Sequence, residues 1–423
     1  MNIADQVAQL CFDHYGNLGK RGKPLPGVEW TLLAAVVQSI NESFTVVSMA
    51  TGTKCIGRNI MSPKGDLIND SHAEVLARRC FLRYLYDKIK TMKDSGHSDI
   101  FKGTSNGKFS LKPNVNFILF TSHVPCGDAS IIPKTVESCK RKSEFDETNV
   151  HKSKKLHVSF EKKRISSDNE PKKNDTNLNQ SVDLESINKV KDSIDSVGEV
   201  LDIYRTGAKC FGKSQDSKLP GLEYHTVGVV RTKPGRGDPT LSVSCSDKIA
   251  RWIDIGLQGA FLSLLIDERV RPKYLIVSKG GPFSYNTLHR AVISRTGTTN
   301  PPKILQSTLV FDDSRYKAPL NAKPCPTSIM WSKVSHKPLE IGVEGRRQGV
   351  TKKSRDNGRL MICKLELFRV FISLTGEKYQ NMSYREVKNL AKEYQNKWQL
   401  LKEKFGGWTE KPQNLSEFKL SDE

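Results

Sequence analysis

The stretch NDSHAEVLARR, residues 69–79, combines a short chemical motif with the start of an amphipathic helix. Apolar residues continue at helical spacing, at Val75, Leu76, Leu82, Leu85, Tyr86 and Ile89. Arg79 lies four residues after Val75 and three before Leu82, so it falls on the apolar face, with Arg78 beside it. Because a guanidinium cannot lose its charge, a buried arginine needs an anion. The stretch therefore predicts a helix over residues 69–90 that carries two arginines toward an anion.

The surrounding segments predict an α/β fold. The predicted strands, which are short, apolar and β-rich, span residues 30–40, 44–50, 115–121 and 272–281. The predicted helices span residues 1–15, 69–90, 244–266 and 384–405. The order of strand, strand, helix and strand is typical of layered α/β domains.

Composition favours a polyanionic partner. The chain has 423 residues, with 67 Lys and Arg against 46 Asp and Glu, which gives a net charge of +21. Such a surplus favours nucleic acid binding, although a protein with basic tails has the same composition. No apolar run approaches the ~18 residues of a membrane span, and the N-terminus lacks the pattern of a signal peptide. Nine cysteines in such a chain indicate reduced thiols, so we expect an intracellular protein, cytoplasmic or nuclear, with no membrane partner.

Residues 140–200 interrupt the globular pattern. They are rich in Lys, Ser, Asn and Asp and show no sustained period, which predicts a mostly disordered insertion. The insertion is either a solvated loop or a weak, salt-sensitive RNA contact. We therefore expect a single domain over residues 1–423 that this insertion interrupts.

The chemical motif is His72-x-Glu74, which a Pro125-Cys126 pair follows at the end of a predicted strand. An H-x-E followed by P-C is the signature of zinc-dependent deaminases. Near the first turn of a helix, His72 and Glu74 can converge on one point beyond the helix end. Where such enzymes often carry a second cysteine, in P-C-x-x-C, this chain has Ala129. A third metal ligand must therefore come from elsewhere.

Three cysteines are candidates for that ligand, namely Cys139, Cys210 and Cys245. Cys139 opens the predicted insertion, Cys210 lies in a Gly-flanked segment, and Cys245 directly precedes a helix, whose dipole favours a thiolate. Chemistry alone favours Cys245, which would leave the fourth zinc position open for water and Glu74 as the proton shuttle. Taken singly, the same residues also fit a capping histidine, a Glu74–Arg78 helix pair and ordinary buried cysteines.

Six motifs resemble the editase-domain family of RNA adenosine deaminases. They are TGTKC (51–55), NDSHAE (69–74), PCGD (125–128), VRTK (230–233), SCSDKIARW (244–252) and KEYQ (392–395). The resemblance covers nearly the whole chain apart from the insertion. It implies a cytidine-deaminase-like mixed sheet flanked by helices, a helical C-terminal part that encloses a buried polyanion, and Cys245 as the third zinc ligand.

The polyanion that the resemblance implies is a structural inositol hexakisphosphate. Carried over position by position, its shell would comprise Asn69, Arg78, Arg79, Lys248, Arg251, Trp252, Lys364, Tyr384, Lys388, Tyr394, Trp408, Glu410 and Lys411. Asp70 and Lys233 resemble a family relay between this shell and the zinc site. The chain departs from the family at Trp398, where a lysine is usual, and at Ser416, where an acidic residue is usual.

Within that family, the chain resembles the tRNA-specific adenosine deaminases. We expect the deaminase to start almost at Met1, with no room for preceding double-stranded-RNA-binding domains, and the segment between Lys233 and Cys245 is short, as in that group. The resemblance implies hydrolytic deamination of adenosine 37, beside the anticodon of eukaryotic alanine tRNA, and we expect a monomer. A free nucleoside or cytidine deaminase and a catalytically inactive RNA-binding module are the alternatives. The +21 charge disfavours the first alternative, and the presence of Glu74 disfavours the second.

Three further residues align with family positions that contact RNA. Thr53 and Lys54 correspond to positions beside the target nucleotide. Arg236, in the sequence PGRGD, stands where the family has an acidic residue that fills the gap left by a flipped base. Because an anticodon loop already splays its bases, Arg236 would stack on a base or meet a phosphate instead. An exposed turn residue is the alternative for this arginine.

Overall fold

The computed structural model describes residues 1–134, 202–235, 237–351, 354 and 358–422. They divide into two compact units. The larger comprises Met1–Ile132, Tyr204–Leu219 and Glu223–Glu423, and the smaller comprises Pro133–Ile203 and Pro220–Leu222. The predicted insertion, Cys139 and Arg236 lie outside the described residues. Within the described ranges, no helix is both long and apolar enough to cross a bilayer.

The helices are α1 (Ile3–Asn17), α2 (Ala73–Ser95), α3 (Cys245–Ile255), α4 (Gly259–Leu262), α5 (Tyr285–Val292), α6 (Lys364–Thr375), α7 (Tyr384–Leu390) and α8 (Lys392–Lys404). The strands are β1 (Glu29–Trp30), β2 (Leu33–Ile40), β3 (Ser43–Thr51), β4 (Thr53–Cys55), β5 (Asp70–His72), β6 (Phe101–Gly103), β7 (Phe109–Leu111), β8 (Val115–Thr121), β9 (Pro133–Lys134), β10 (Asp202–Ile203), β11 (Lys209–Cys210), β12 (Arg231–Thr232), β13 (Pro272–Val277), β14 (Lys303–Gln306), β15 (Lys323–Pro324), β16 (Thr327–Ser332), β17 (Leu339–Val343) and β18 (Arg346–Arg347). In the smaller unit, β9 and β10 pair antiparallel.

An eight-stranded mixed sheet forms the centre of the larger unit, in the order β14-β13-β8-β2-β3-β16-β17-β18. Strands β8, β13 and β14 are parallel to one another, and every other neighbouring pair is antiparallel. Alternate residues of β2 enter two different cores. Ala34 and Val36 pack with residues of α2 and α3, whereas Ala35 and Val37 pack with residues of α1. Helices therefore cover both faces of a mixed sheet, which confirms the predicted fold class.

The helix that contains the arginines begins later than predicted. Residues 70–72 form β5, which pairs antiparallel with β4, and α2 begins at Ala73. His72 has extended dihedral angles, φ −69° and ψ 142°, because it completes this pairing before the chain turns into the helix. The predicted helical start at residue 69 is therefore wrong, and His72 is the N-cap residue of α2.

Two long predicted helices are interrupted. The helix predicted over residues 244–266 ends at Ile255, because Gly256 has φ 95° and a Cβ there would lie 2.0 Å from the Gln258 side-chain oxygen. Only the short helix α4 follows it. The region predicted over residues 384–405 divides into α7 and α8 at Ala391, whose ψ of 62° is not helical.

Candidate functional site

The corner between β5 and α2 fixes the directions of the motif side chains. The register of β4 and β5 places Thr53 opposite His72 and Cys55 opposite Asp70. Paired residues share one face of a ladder, so these four side chains project from the same side of the hairpin. Glu74 follows in the first turn of α2 and is 4% exposed. The two elements thus direct the histidine and the glutamate into one region.

Three predicted ligands meet at this corner. The His72 Nδ1 atom lies 3.9 Å from Cys126 Sγ and 3.6 Å from Cys245 Sγ. Cys126 lies in the loop after β8, and Cys245 is the first residue of α3, where its amide lies 3.3 Å from the Cys126 sulfur. The ligand atoms of the three residues all lie within 4.8 Å of one another.

The alternative ligand Cys210 has a different environment. Its thiol donates a hydrogen bond to the Asp216 carboxylate at 3.3 Å. Burial and this carboxylate raise the pKa of Cys210 to about 11, so it is a protonated thiol at neutral pH. Within the described part of the chain, Cys210 belongs to no His and Cys group with metal-binding spacing.

The ionisable groups at the corner suit a bound cation. The hydrogen bond from Cys245 lowers the pKa of Cys126 well below its usual range, while burial raises the pKa of Cys245. Burial and the nearby Lys233 lower the pKa of His72, but the contacts with the Cys126 and Cys55 sulfurs together outweigh them and raise this pKa to about 10. Two sulfurs, of which that of Cys245 is buried, and an imidazole therefore compete for protons. A divalent cation would replace those protons, and the donor set of one nitrogen and two sulfurs fits zinc.

A buried ionic network stands beside the sulfurs. Lys233, 3% exposed, donates to both Asp70 oxygens, at 3.0 and 2.9 Å, and to Cys245 Sγ at 3.2 Å. Asp70 also pairs with Lys248 and accepts the backbone N–H of His72 at 3.0 Å. Burial would raise the pKa of Asp70, but the two lysines hold it well below its usual range. The network therefore remains charged at neutral pH. It contacts the proposed ligands at the backbone N–H of His72 and at the sulfur of Cys245.

On the far side of Asp70 lies a cavity of about 410 Å³. Seven cationic side chains line it, namely Arg78, Arg79, Lys248, Arg251, Lys364, Lys388 and Lys411. Among the residues that the structure describes, Asp70 is the only carboxylate in the lining. The predicted shell residues Asn69, Trp252, Tyr384 and Trp408 also line it, as do Trp398 and Ser416. The cavity therefore collects positive charge from α2, α3, α6, α7 and the C-terminal segment.

The cations of the cavity are poorly neutralised by the protein. Burial and neighbouring cations lower the pKa of Lys364 to about 7 and that of Lys388 to about 8. In the described structure, the Nε atoms of Arg78 and Arg251 are buried without a hydrogen-bond partner. Gly259 leaves room for Arg78, because a Cβ there would lie 2.8 Å from its Nη2 atom. These residues fit a bound polyanion, which would supply the missing acceptors.

Several predicted residues lie elsewhere. Glu410 is exposed and does not line the cavity, and Tyr394 contacts it only through Arg251, whose Nη2 atom donates to the Tyr394 hydroxyl at 2.9 Å. Thr53 shares the face of His72, and its Oγ1 atom is buried without a hydrogen-bond partner in the described structure. Lys54 projects from the opposite face of the strand.

The sequence interpretation missed Cys55. Its sulfur, an Asp70 oxygen and a His72 ring nitrogen lie within 4.8 Å of one another. The contact with Cys55 also contributes to the raised pKa of His72. The signal was present in the quoted motif TGTKC, because Cys55 is two residues after Thr53 and so shares its face of a strand.

Known proteins resemble this chain along its length. A model of the adenosine-deaminase (editase) domain family matches residues 48–412. The human protein named tRNA-specific adenosine deaminase 1 is 37% identical, over 99% of this chain and 100% of that protein. Its Drosophila melanogaster namesake is 32% identical, over 98% of this chain and 96% of that protein. The mouse double-stranded RNA-specific adenosine deaminase is 28% identical over 98% of this chain, but this covers only 32% of that protein. The chain therefore belongs to the adenosine-deaminase (editase) domain family.

Proposed function

We propose that this chain is a zinc-dependent deaminase that converts adenosine to inosine in tRNA. The carrying observation is the convergence of His72, Cys126 and Cys245 within 4.8 Å, beside the buried Glu74. The tRNA substrate is supported by relatives named tRNA-specific adenosine deaminase 1 that align over almost the whole of both chains.

In this proposal the three ligands would hold zinc, which when bound supplies the Lewis acidity that makes water a nucleophile near neutral pH. Glu74 would take, one after the other, the two protons of the water that attacks C6 of the purine. It would deliver protons to the ring nitrogen N1 and to the leaving amine, so that adenosine and water become inosine and ammonia. The Glu74 Oε2 atom has no protein partner within the described residues, so it is free for this exchange.

Lys233 would favour the thiolate form of Cys245 against the opposing effect of burial, because its ammonium group lies 3.2 Å from the sulfur. Asp70 orients both this lysine and the backbone N–H of His72. Such contacts to metal ligands fix their geometry and protonation. The network would therefore keep the ligand set ready for the metal.

We propose inositol hexakisphosphate as the occupant of the cationic cavity. Seven cations against one carboxylate require several negative charges, and six phosphates on one small ring supply them compactly. Acid denaturation followed by ³¹P NMR of the supernatant tests this proposal. We expect the inositol phosphate spectrum at about one molecule per chain, and a supernatant without phosphorus would contradict it.

Within tRNA, we propose adenosine 37 of alanine tRNA as the target, which follows from the resemblance of the motifs to the tRNA-specific group. Incubation of the recombinant protein with total eukaryotic tRNA, followed by inosine mapping, tests both substrate and position. We expect new inosine beside the anticodon of alanine tRNA. Inosine at other positions only would contradict the site, and none at all would contradict the function.

The role of Glu74 is tested by Glu74→Ala, with the exposed Glu377→Ala as the matched control. We expect the first variant to form no inosine while it still binds tRNA and zinc, and the second to behave as wild type. Conversion of adenosine by Glu74→Ala would refute the proposed mechanism.

We also propose that the active form is a single-domain monomer in a reducing compartment, the cytoplasm or nucleus. The proposed ligands, Glu74 and the cavity cations all come from one chain. The eight described cysteines are free, and thiolate ligands need reducing conditions to persist. Light scattering during gel filtration should give the mass of one chain in the active fraction.

A further inference from the structure

An exposed turn follows the strand that flanks the candidate site. After β4 the chain forms a 3₁₀ turn over Arg58–Ile60, and we call residues 57–60 the 57–60 turn. Arg58 is exposed, and its guanidinium has no protein partner among the described residues. Ile60 is 64% exposed, which makes it one of the most exposed large apolar side chains in the described structure. A free cation and an unburied apolar group therefore lie two residues apart on one exposed turn.

The turn is held rigidly by the segment after Lys233. The Asp238 carboxylate accepts the backbone N–H of Asn59 at 2.7 Å, and the Pro239 carbonyl accepts that of Arg58 at 2.9 Å. Gly57 permits this approach, because a Cβ there would lie 2.2 Å from the Asp238 carboxylate. The core does not require this arrangement, since the turn itself has no buried residue. A fixed backbone that presents exposed side chains is typical of a preorganised binding surface.

The position of the turn limits what it can contact. Arg58 is three residues after Cys55, so their Cα atoms are at most about 11 Å apart. Cys55 pairs with Asp70, two residues before His72. The 57–60 turn therefore follows directly on the strand that borders the candidate site, so a single-stranded RNA that enters the site can also reach the turn.

Resting on the proposed tRNA substrate, we propose that the 57–60 turn is a second RNA contact that binds a single-stranded nucleotide flanking the target adenosine. Arg58 binds its phosphate, and Ile60 packs against the face of its unstacked base. Splayed loop nucleotides offer both a charged backbone and an apolar base face, which matches the pair. Asp238 is a positioning residue, because it acts on RNA only through the backbone of the turn.

Kinetics on alanine tRNA and binding of its anticodon stem-loop test the contact. We expect Arg58→Ala and Ile60→Ala each to raise KM and Kd roughly three- to tenfold, the size of one partly exposed contact, with kcat unchanged. Arg58→Ala should reduce the slope of log K against log salt by about 0.7, whereas Ile60→Ala should leave it unchanged. Arg58→Lys should restore the slope. The exposed residues Lys102 and Leu25 supply matched controls as Lys102→Ala and Leu25→Ala, which should equal wild type.

A double-mutant cycle tests the positioning role of Asp238. Asp238→Ala should raise KM without lowering kcat. Adding Arg58→Ala to this variant should raise KM by a smaller factor than Arg58→Ala does in the wild type, because both residues act through one turn. If wild type deaminates tRNA but Arg58→Ala and Ile60→Ala change neither KM, Kd nor salt slope, this contact is refuted and the proposed function stands. If wild type forms no inosine in any tRNA while stem-loop binding still depends on Arg58, the proposed function fails and the contact stands.

Discussion

His72 and Glu74 reach one region because they belong to different elements. Two residues apart within a helix, their side chains would diverge by about 200°. His72 is instead the last residue of a strand, so its direction is set by the pairing with Thr53, while Glu74 takes the direction of the first helical turn. The junction between strand and helix thus makes the H-x-E spacing chemically useful, and the same spacing deep in either element would not be.

The choice between Cys245 and Cys210 gives a prediction about metal content. We expect Cys245→Ala to lose nearly all zinc, because two ligands rarely hold this ion against competing chelators. Cys210→Ala should keep about one zinc per chain, since its thiol is bonded to Asp216. Elemental analysis after gel filtration in a weak chelator measures both variants. Full zinc in Cys245→Ala would show that the third ligand is another residue.

Lys233 gives a second prediction at this scale. We expect Lys233→Met to weaken zinc binding about 10- to 100-fold, the range for residues that contact metal ligands. The substitution also leaves Asp70 buried with one lysine instead of two, so thermal stability should fall. Competition with a chromogenic chelator and thermal unfolding measure the two effects. The exposed Lys209→Met, on neighbouring β11, is the control, and equal zinc affinity in the two variants would remove the proposed role.

At the scale of elements, α2 connects the two sites. His72 and Glu74 stand at its first turn, while Arg78 and Arg79 project into the cationic cavity. A helix is stiff over such a distance, so the position of the arginines fixes that of the ligand. The sequence predicted that these arginines face an anion, because an arginine on an apolar stripe is unusual and needs a specific explanation.

Tertiary contacts decided what the sequence could not predict. The break at Ala391 leaves no mark in the composition, since alanine favours helices, and the break at Gly256 depends on packing against Gln258. The start of α2 depends on β4, because residues 70–72 pair with β4 as a strand. Cys55 in β4 lies fifteen residues before its partner Asp70, so this pairing is not visible in the local sequence. Glu410 was assigned to the cavity only by its alignment with a family position. In the structure its side chain is exposed.

On helix α8, the replacement of Trp398 has an effect that can be predicted. The ring of Trp398 lies 3.8 Å from the Arg251 guanidinium and contacts Trp408 edge to face at 4.8 Å. We expect Trp398→Ala to lower the melting temperature and weaken retention of the polyanion, because it removes a cation–π contact worth about 0.5–2 kcal/mol and its packing. Compared with Trp398→Ala, Trp398→Lys should restore retention of the anion but should restore less of the melting temperature. The control is Leu400→Ala, 59% exposed on the same helix, and equal effects of the alanine variants would contradict this role.

At the scale of the whole molecule, part of the surplus of positive charge is directed inward. Seven cations of the described residues line the cavity. Concentrated like charge destabilises a fold unless an anion compensates it. The proposed polyanion would compensate the charge that helices α6 and α7 bring to the cavity, so we expect these helices to depend on it for part of their stability.

Lys364 makes that dependence measurable, because replacing it should change stability in opposite directions with and without the polyanion. In the chain without an anion, burial and nearby cations lower its pKa from 10.5 to about 7, so between these values the unfolded chain binds more protons and stability rises with pH. Lys364→Met should therefore stabilise the anion-free protein at neutral pH, and this gain should disappear as the pH approaches 10.5. With the polyanion bound, phosphate favours the charged lysine, so the same variant should lower the melting temperature at pH 7. Thermal unfolding of both proteins between pH 6.5 and 10, as purified and after removal of anions by refolding in high salt, measures the difference. A Lys364→Met variant that melts above wild type at pH 7 in the protein as purified would show that no polyanion occupies the cavity.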